Sequence, residues 1–233
     1  ETGLRDISVF ENPYALSLGY MINSKANGKK ESKELIDNAF EYQNYILNTM
    51  LGNDTKYFKP YAKEKLGEAY YRFTIDNDEL IYIFVPFDMG GEMPTIKVNN
   101  INFGNLSQIA RYEKNLNGEK LDVLLNGKVS SYGEIQAYYF DEESFVNDIK
   151  KLQENTMKFE TLDNGYIKGK VVATKEMPIL FLSIPLDDGW TLYVDGKETE
   201  IELLYDTFMG VTLEEGEHEI ELKYSVPGLK AGI

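Results

Sequence analysis

The stretch "ILFLSIPLDDG" at residues 179–189 decides the fold, because a related stretch, "LIYIFVPFDMG", occurs at residues 80–90. At a constant offset of 99 residues three turn residues align, namely Pro86 with Pro185, Asp88 with Asp187, and Gly90 with Gly189. An apolar run that ends in proline and an Asp-containing turn indicates a buried strand followed by a turn. The repeat predicts two copies of one structural unit. Chance similarity between strands is the alternative explanation.

Two further pairs of segments extend the repeat. After a gap of three residues, "IKVNNINF" (96–103) matches "LYVDGKETEI" (192–201), so that the pair Asn99-Asn100 aligns with Asp195-Gly196. Farther along, "NLNGEKLDVLL" (115–125) parallels "LEEGEHEIELKY" (213–224). Alternation of apolar and polar residues in these segments indicates antiparallel sheets with one buried face. Asp195-Gly196 predicts a two-residue hairpin of type I′.

Each half of the chain begins with a helical pattern. Ser32 is the predicted N-cap of "KELIDNAFEYQNYILNTML", and Asp141 is the predicted N-cap of "EESFVNDIKKLQ". The predicted fold is therefore mainly β with flanking helices, of the α+β class. We expect two tandem β-sandwich or jelly-roll-like modules, each preceded by a helix, in domains 1–140 and 141–233.

Composition restricts the classes of partner. There are 39 Asp and Glu against 24 Lys and Arg, which gives a formal net charge of −15. Binding to a phosphate backbone depends on a basic surface, so we predict no nucleic-acid partner. The chain has no cysteine, which excludes disulfides, thiolate nucleophiles and cysteine metal ligands. The sequence contains neither a signal-peptide pattern nor an apolar run of the ~18 residues that a membrane helix needs.

Asp187 and Asp188 next to Trp190 raise the question of paired catalytic carboxylates. A glycoside hydrolase needs two carboxyl groups that flank a sugar, but neighbouring Asp residues at a turn ordinarily cap the turn through their own side chains. The segment "TIDNDEL" (74–80) contains three acids but lacks the pattern of a calcium loop. We therefore predict no catalytic residue, no metal site and no cofactor in this chain.

Aromatic residues are the better candidates for binding. The chain has 17 Tyr, 12 Phe and a single Trp, and sugar faces stack on exposed rings. Adjacent tyrosines lie on opposite faces of a strand, so one of each pair is expected to be accessible. The candidate carbohydrate-binding residues are Trp190, Tyr193, Asp187, Asp188, Tyr138 and Tyr139. For Trp190 two hypotheses stay open, a core position beside Tyr193 and a contact with a glycan.

The C-terminal third resembles a known family. The segments "LFLSIPLDDGWTLYVDGKETEI" (180–201) and "FMGVTLEEGEHEIELKYSVPGLKAG" (208–232) are similar to the closing extracellular segment of the YfhO family of bacterial polytopic membrane proteins. That family has a pattern like "LFLSIPYxxGWxVYVDGKxV", then "FxGIxLxxGxHxIELxYxPPGxxxG", before its last transmembrane helix. Near the other end, "NPYALSLGYMI" (12–22) is similar to the family's "NxxALPLGY", with Ser17 where Pro is usual.

The resemblance implies a function. YfhO-like proteins resemble multi-pass glycosyltransferases that add sugars to cell-wall polymers such as lipoteichoic acid from an undecaprenyl-phosphate sugar donor. In such enzymes the catalytic carboxylate lies in a loop between early transmembrane helices, which this chain does not contain. The chain is thus expected to be a soluble domain at the extracellular face of the bacterial cytoplasmic membrane. Its expected partners are its own transmembrane portion and a cell-wall glycan or teichoic acid.

Two roles follow for such a domain, holding the polymer acceptor or bracing the membrane portion that carries out catalysis. In either role we predict that the isolated chain is inactive and that the parent protein is the lipid-linked-sugar glycosyltransferase. The alternative is a free-standing secreted carbohydrate-binding or adhesion module.

Overall fold

The computed structural model describes residues 10–26, 37–86, 95–105, 109–113, 116–126 and 133–228. Over these ranges the chain is mainly β, with antiparallel sheets and two α-helices. The predicted mainly β fold of the α+β class is confirmed. No helix within the described ranges is long and apolar enough to cross a membrane.

The described residues divide into two compact units that do not follow chain order. The first module comprises residues 37–47 and 54–144, and the second module comprises residues 10–26, 48–53 and 145–228. The sequence predicts a boundary after residue 140, with the whole N-terminal segment in the first domain. The structure assigns the start of the chain to the second module, because strand β1 (Gly19–Ile22) is hydrogen-bonded there.

The first module is built from nine of the described strands. In chain order they are β2 (Phe58–Pro60), β3 (Ala62–Gly67), β4 (Tyr70–Thr74), β5 (Ile81–Phe84), β6 (Thr95–Val98), β7 (Ile101–Asn105), β8 (Ile109–Tyr112), β9 (Lys120–Asn126) and β10 (Gln136–Phe140). They form a four-stranded sheet in the order β2-β10-β5-β8 and a five-stranded sheet in the order β3-β4-β9-β6-β7. Side chains from both sheets, such as Phe73, Ile81, Ile83 and Leu121, join in one buried cluster, as in a β-sandwich.

The second module also contains nine of the described strands. These are β1, β11 (Lys158–Asp163), β12 (Tyr166–Ala173), β13 (Ile179–Pro185), β14 (Trp190–Val194), β15 (Lys197–Thr199), β16 (Glu202–Leu204), β17 (Phe208–Thr212) and β18 (Gly216–Tyr224). Their sheets have the orders β1-β13-β17-β16 and β11-β12-β18-β14-β15. Strands such as β12 alternate between buried and exposed residues, because successive side chains of a strand point to opposite faces.

The two five-stranded sheets have the same connectivity. In the first module the hairpin β3-β4 lies beside β9, and β9 lies beside the hairpin β6-β7. In the second module the hairpin β11-β12, strand β18 and the hairpin β14-β15 occupy the same places. The second hairpins turn at matching residues with positive φ, Asn99-Asn100 (45° and 66°) and Asp195-Gly196 (52° and 77°). Positive φ at both central residues defines the type I′ turn. The predicted turn at Asp195-Gly196 is confirmed, and the two five-stranded sheets agree with the predicted repeat of one structural unit.

Helix α1 (Ala39–Leu51) begins later than the sequence pattern predicted. The side-chain oxygen of Asn38 accepts hydrogen bonds from the backbone N–H groups of Phe40 and Glu41, each at 3.2 Å. Asn38 is therefore the N-cap of the described helix, whereas the sequence pattern predicts Ser32. Ser32 itself lies outside the described residues.

Helix α2 (Glu142–Glu154) begins where it was predicted to begin. The carboxylate of Asp141 accepts the backbone N–H of Ser144 at 3.0 Å and its hydroxyl group at 2.8 Å. The first of these bonds satisfies a backbone donor that the first turn of a helix leaves free. Burial raises the pKa of Asp141. The hydrogen bond from Lys59 and the two bonds from Ser144 outweigh burial, so the pKa lies below its usual value.

Candidate functional site

The turn from β13 to β14 is organised by Asp187. Its Oδ1 accepts the backbone N–H of Gly189 at 2.8 Å, and its backbone oxygen accepts the N–H of Trp190 at 3.1 Å. An Asp side chain that bonds the backbone two residues later is the ordinary way in which Asp stabilises a turn. Asp187 therefore has the turn-capping role that the sequence analysis favoured over an acid/base pair.

Gly189 is required by the close approach of the neighbouring strand. A Cβ atom at this position would lie 2.5 Å from Cε2 of Tyr224 and 2.7 Å from the backbone oxygen of Ser225. Both distances are shorter than real Cβ contacts allow. The backbone oxygen of Gly189 also accepts the N–H of Ser225 at 2.8 Å. The turn is thereby fastened to the end of β18.

Trp190 is the first residue of β14. Its side chain is half-buried, and it lies opposite Tyr224, the last residue of β18. The two ring centroids are 5.0 Å apart with the planes inclined at 59°. Trp190 shares the strand face of the buried residue Leu192, because side chains two residues apart point to the same side. The ring is thus neither enclosed in the core nor fully exposed, and part of it remains open to solvent.

Trp190 lines a surface hollow of about 260 Å³. We call it the Trp190 hollow; its wall includes Trp190, Asp187, Asp188, Glu198, Glu200 and Ile201. The exposed carboxylates offer hydrogen-bond acceptors and the indole ring offers an apolar face. This combination suits a ligand with many hydroxyl groups and an apolar face, which is the chemistry of a sugar ring.

Tyr193 lies on the opposite face of β14 from Trp190 and Leu192. Its ring carries the ammonium group of Lys223 at 4.8 Å from the centroid, a cation–π geometry. Lys223 also pairs with Glu221 at 3.0 Å, and Glu221 accepts the hydroxyl of Tyr166 at 2.7 Å. Tyr193 is therefore part of a polar network on the outer face of the sheet and does not border the Trp190 hollow.

Tyr138 and Tyr139 belong to the first module, whereas the other four candidate residues belong to the second. Tyr138 is fully buried; its hydroxyl donates to Gln136 at 2.8 Å, and burial raises its pKa to about 12. A ring in this position has no surface to offer a glycan, so Tyr138 leaves the candidate set as a core residue. Tyr139 is half-buried with its ring centroid 5.1 Å from that of Tyr61.

The carboxylates at the hollow do not have the environment of a hydrolase pair. A general acid is kept protonated near neutral pH by burial in an apolar pocket, but Asp187 and Asp188 are both exposed. Asp187 is also engaged with the backbone of its own turn. Within the described ranges no group of three or more His, Asp or Glu side chains is arranged to hold a metal ion.

Four residues named at this site are absent from the predicted set, namely Tyr224, Glu198, Glu200 and Ile201. The signal for two of them was present in the predicted hairpin at Asp195-Gly196. A two-residue turn fixes the register of its strands, so β15 must fold back along β14, with Leu192 opposite Thr199. Glu198 and Glu200, the neighbours of Thr199 in the chain, border the Trp190 hollow.

Comparison with known proteins identifies the family. The family model described as bacterial membrane protein YfhO matches residues 4–233. No curated protein matches the chain. The family match spans both modules, the paired type I′ turns and the Trp190 hollow. The chain therefore belongs to the YfhO family of bacterial membrane proteins.

Proposed function

We propose that this chain is the extracellular domain of a polytopic membrane glycosyltransferase and that it positions a cell-wall polymer acceptor for sugar transfer. The observation that carries the proposal is the Trp190 hollow, in which a half-buried indole ring lies beside exposed carboxylates. Family membership supplies the membrane protein to which such a domain belongs.

The chemistry of the hollow favours a sugar over a phosphate group. Carboxylates accept hydrogen bonds from hydroxyl groups but repel anions, and the chain carries a net charge of −15. A polymer such as lipoteichoic acid contains both hydroxyl-rich and phosphate-bearing parts. We assign the contact to the uncharged, hydroxyl-rich part, where hydrogen bonding to Asp188 and stacking on Trp190 involve no repulsion between like charges.

The proposed contribution to catalysis is one of proximity. Transfer from a lipid-phosphate sugar needs a base for the acceptor and stabilisation of the departing phosphate, and we assign both to the transmembrane portion of the intact protein. Holding the acceptor close to the donor raises its effective concentration at the reacting centre. The transmembrane portion is thus the proposed partner of this domain.

Binding by the purified domain tests the proposal. We expect neutral oligosaccharides and lipoteichoic acid to change the fluorescence of Trp190, which is the only tryptophan. Trp190→Ala, followed by calorimetry, should abolish this binding. Tyr193→Ala is the matched control, because it removes an aromatic ring from the other face of the same strand, and it should bind as wild type does. Equal binding by all three proteins, or no binding of any glycan, contradicts the proposal.

Activity of the intact membrane protein provides a second test. Trp190→Ala in the full-length protein should raise KM for the polymer acceptor and leave kcat nearly unchanged, because the residue holds the acceptor and takes no part in the reaction. A fall in kcat with unchanged KM would place Trp190 in the chemical step instead.

A further inference from the structure

The two four-stranded sheets share three neighbouring strand positions and differ in the part of the chain that fills one of them. In the first module β5 lies between β8 and β10, and β10 pairs in turn with β2, which follows helix α1. In the second module β13 lies between β17 and β1, and β1 forms a bridge with Thr156, which follows helix α2. Strand β1 therefore occupies in the second module the place that β10 occupies in the first.

The equivalence of β1 and β10 holds residue by residue. Tyr20 of β1 lies opposite Phe181, and Tyr138 of β10 lies opposite Tyr82, at the offset of 99 residues that relates β13 to β5. Both tyrosines are buried, with 5% and 0% of their surfaces exposed. The shared position and burial show that the two strands play one structural role.

The backbone bonds of the two strands correspond in the same way. The N–H of Met157 donates to the backbone oxygen of Gly19 at 2.8 Å, and the N–H of Tyr61 donates to that of Ala137, also at 2.8 Å. Gly19 and Ala137 each precede the buried tyrosine. A Cβ on Gly19 would already lie 3.2 Å from the side chains of Leu182 and Met157, so the small residue suits a tight position.

The chain reaches these two positions by different routes. Strand β10 is the next described strand after β9, so the first module is completed by a segment near its own end. The second module is completed by a strand that precedes both helices in the chain. We infer that β1 is the closing strand of the second module, and that the module loses its native four-stranded sheet when the N-terminal segment is displaced.

Displacement of β1 would uncover the edge of β13 and several apolar side chains. Met21 and Ile22 are buried in place, and the N–H of Met21 donates to Asn155 at 2.8 Å. Removing β1 would leave backbone groups of β13 without their partners, which is unfavourable for a strand that is otherwise interior to its sheet.

The segment just before the closing strand is hydrogen-bonded to the end of β13, which leads to the Trp190 hollow. Leu18, immediately before β1, accepts hydrogen bonds through its backbone oxygen from the N–H and the hydroxyl group of Ser183, at 2.8 and 3.1 Å. Ser183 lies near the end of β13, which leads into the turn of Asp187 and Trp190. The fluorescence of Trp190 should therefore report the state of the second module alone, whether or not the hollow binds a glycan.

A pair of matched proline variants of the whole chain tests the inference by amide hydrogen exchange. Met21→Pro removes a backbone donor from β1, and Tyr139→Pro changes the corresponding position of β10. Met21→Pro should abolish exchange protection in β13 and lower the denaturant midpoint seen by Trp190 fluorescence, while β5 and β8 stay protected. Tyr139→Pro should unprotect β5 and leave β13 and the Trp190 midpoint as in wild type. Protected β13 in Met21→Pro, or loss of protection in the first module in both variants, overturns the inference.

A peptide complementation experiment covers the case in which Met21→Pro fails to form the second module at all. A synthetic peptide with the sequence of residues 16–25 is added to the variant chain. Restored protection of β13 and a restored native Trp190 spectrum support the closing-strand role, because the peptide supplies the missing strand. Failure of a large excess of peptide to restore either signal overturns the inference.

Discussion

Nδ1 of His218 lies 2.7 Å from Oδ2 of Asp195, and this contact joins the start of β18 to the type I′ turn between β14 and β15. On the other side of the ring, Nε2 faces the backbone oxygen of Glu214 at 2.9 Å. Only the protonated imidazole can donate from both nitrogens. Partial burial lowers the pKa of His218, but the bonds to Asp195 and Glu214 outweigh it, so the pKa lies above its usual value.

Stability should therefore depend on pH through His218. A raised pKa in the folded state means that the stabilisation is fully present below the unfolded pKa of about 6.5 and is lost as pH rises through the folded pKa. We expect His218→Gln to be destabilised relative to wild type at pH 5.5, and the difference to shrink by pH 9. Urea unfolding at both pH values measures it. A difference that is the same at both pH values would show that the imidazolium is not responsible.

Replacement of Trp190 should have a moderate effect on stability. Full burial of such a ring would make Trp190→Ala cost about 3–5 kcal/mol, but the half-buried ring packs mainly on Tyr224. We expect a loss of about 2 kcal/mol, including ~0.5–1.5 kcal/mol from the aromatic pair. Thermal unfolding of Trp190→Ala, Tyr224→Ala and the double variant separates the pair energy from the burial term. An unchanged melting temperature in Trp190→Ala would show that the ring does not support the fold.

Gly189 and Gly196 should respond differently to substitution by alanine. A Cβ on Gly189 collides with Tyr224 and Ser225, whereas a Cβ on Gly196 meets nothing within 4 Å and is disfavoured only by a φ of 77°. We expect Gly196→Ala to cost about 1–2 kcal/mol from φ alone. Gly189→Ala should displace the Tyr224 ring and weaken glycan binding at the Trp190 hollow. Wild-type glycan affinity in Gly189→Ala would contradict the role of the close approach.

The isolated chain should have no transferase or hydrolase activity. Its proposed role is to hold the acceptor. Both Asp residues at the hollow are exposed, whereas the general acid of an acid/base pair needs an apolar pocket. Incubation with lipid-linked sugars and teichoic-acid-type polymers, with sugar transfer and sugar release both followed, measures this. Turnover that disappears in Asp187→Asn and Asp188→Asn would restore the paired-carboxylate hypothesis.

Some features of the candidate site could be predicted from local sequence. The Asp187 turn follows from the preference of Asp for turns. For Trp190 the sequence left a core position and a contact with a glycan open, and the half-buried ring is intermediate between these two positions. The two-residue turn at Asp195-Gly196 fixed the register of its hairpin, so the position of Thr199 opposite Leu192 could have been predicted as well. Strand alternation predicts that neighbouring tyrosines point to opposite faces of a sheet, but it does not show which face a second layer covers. The burial of Tyr138 could therefore not be predicted.

The sequence by itself determined the repeated strands, the type I′ turn at Asp195-Gly196 and the Asp141 cap, because each depends on residues close together in the chain. Only the tertiary structure decided that β1 pairs with β13, about 160 residues away, and that Tyr138 is a core residue. Pairing between distant strands is selected by complementary faces and unfilled sheet edges, which have no signature in either segment alone. Local chemistry therefore specified the elements, and the burial of their shared faces decided how the modules are completed.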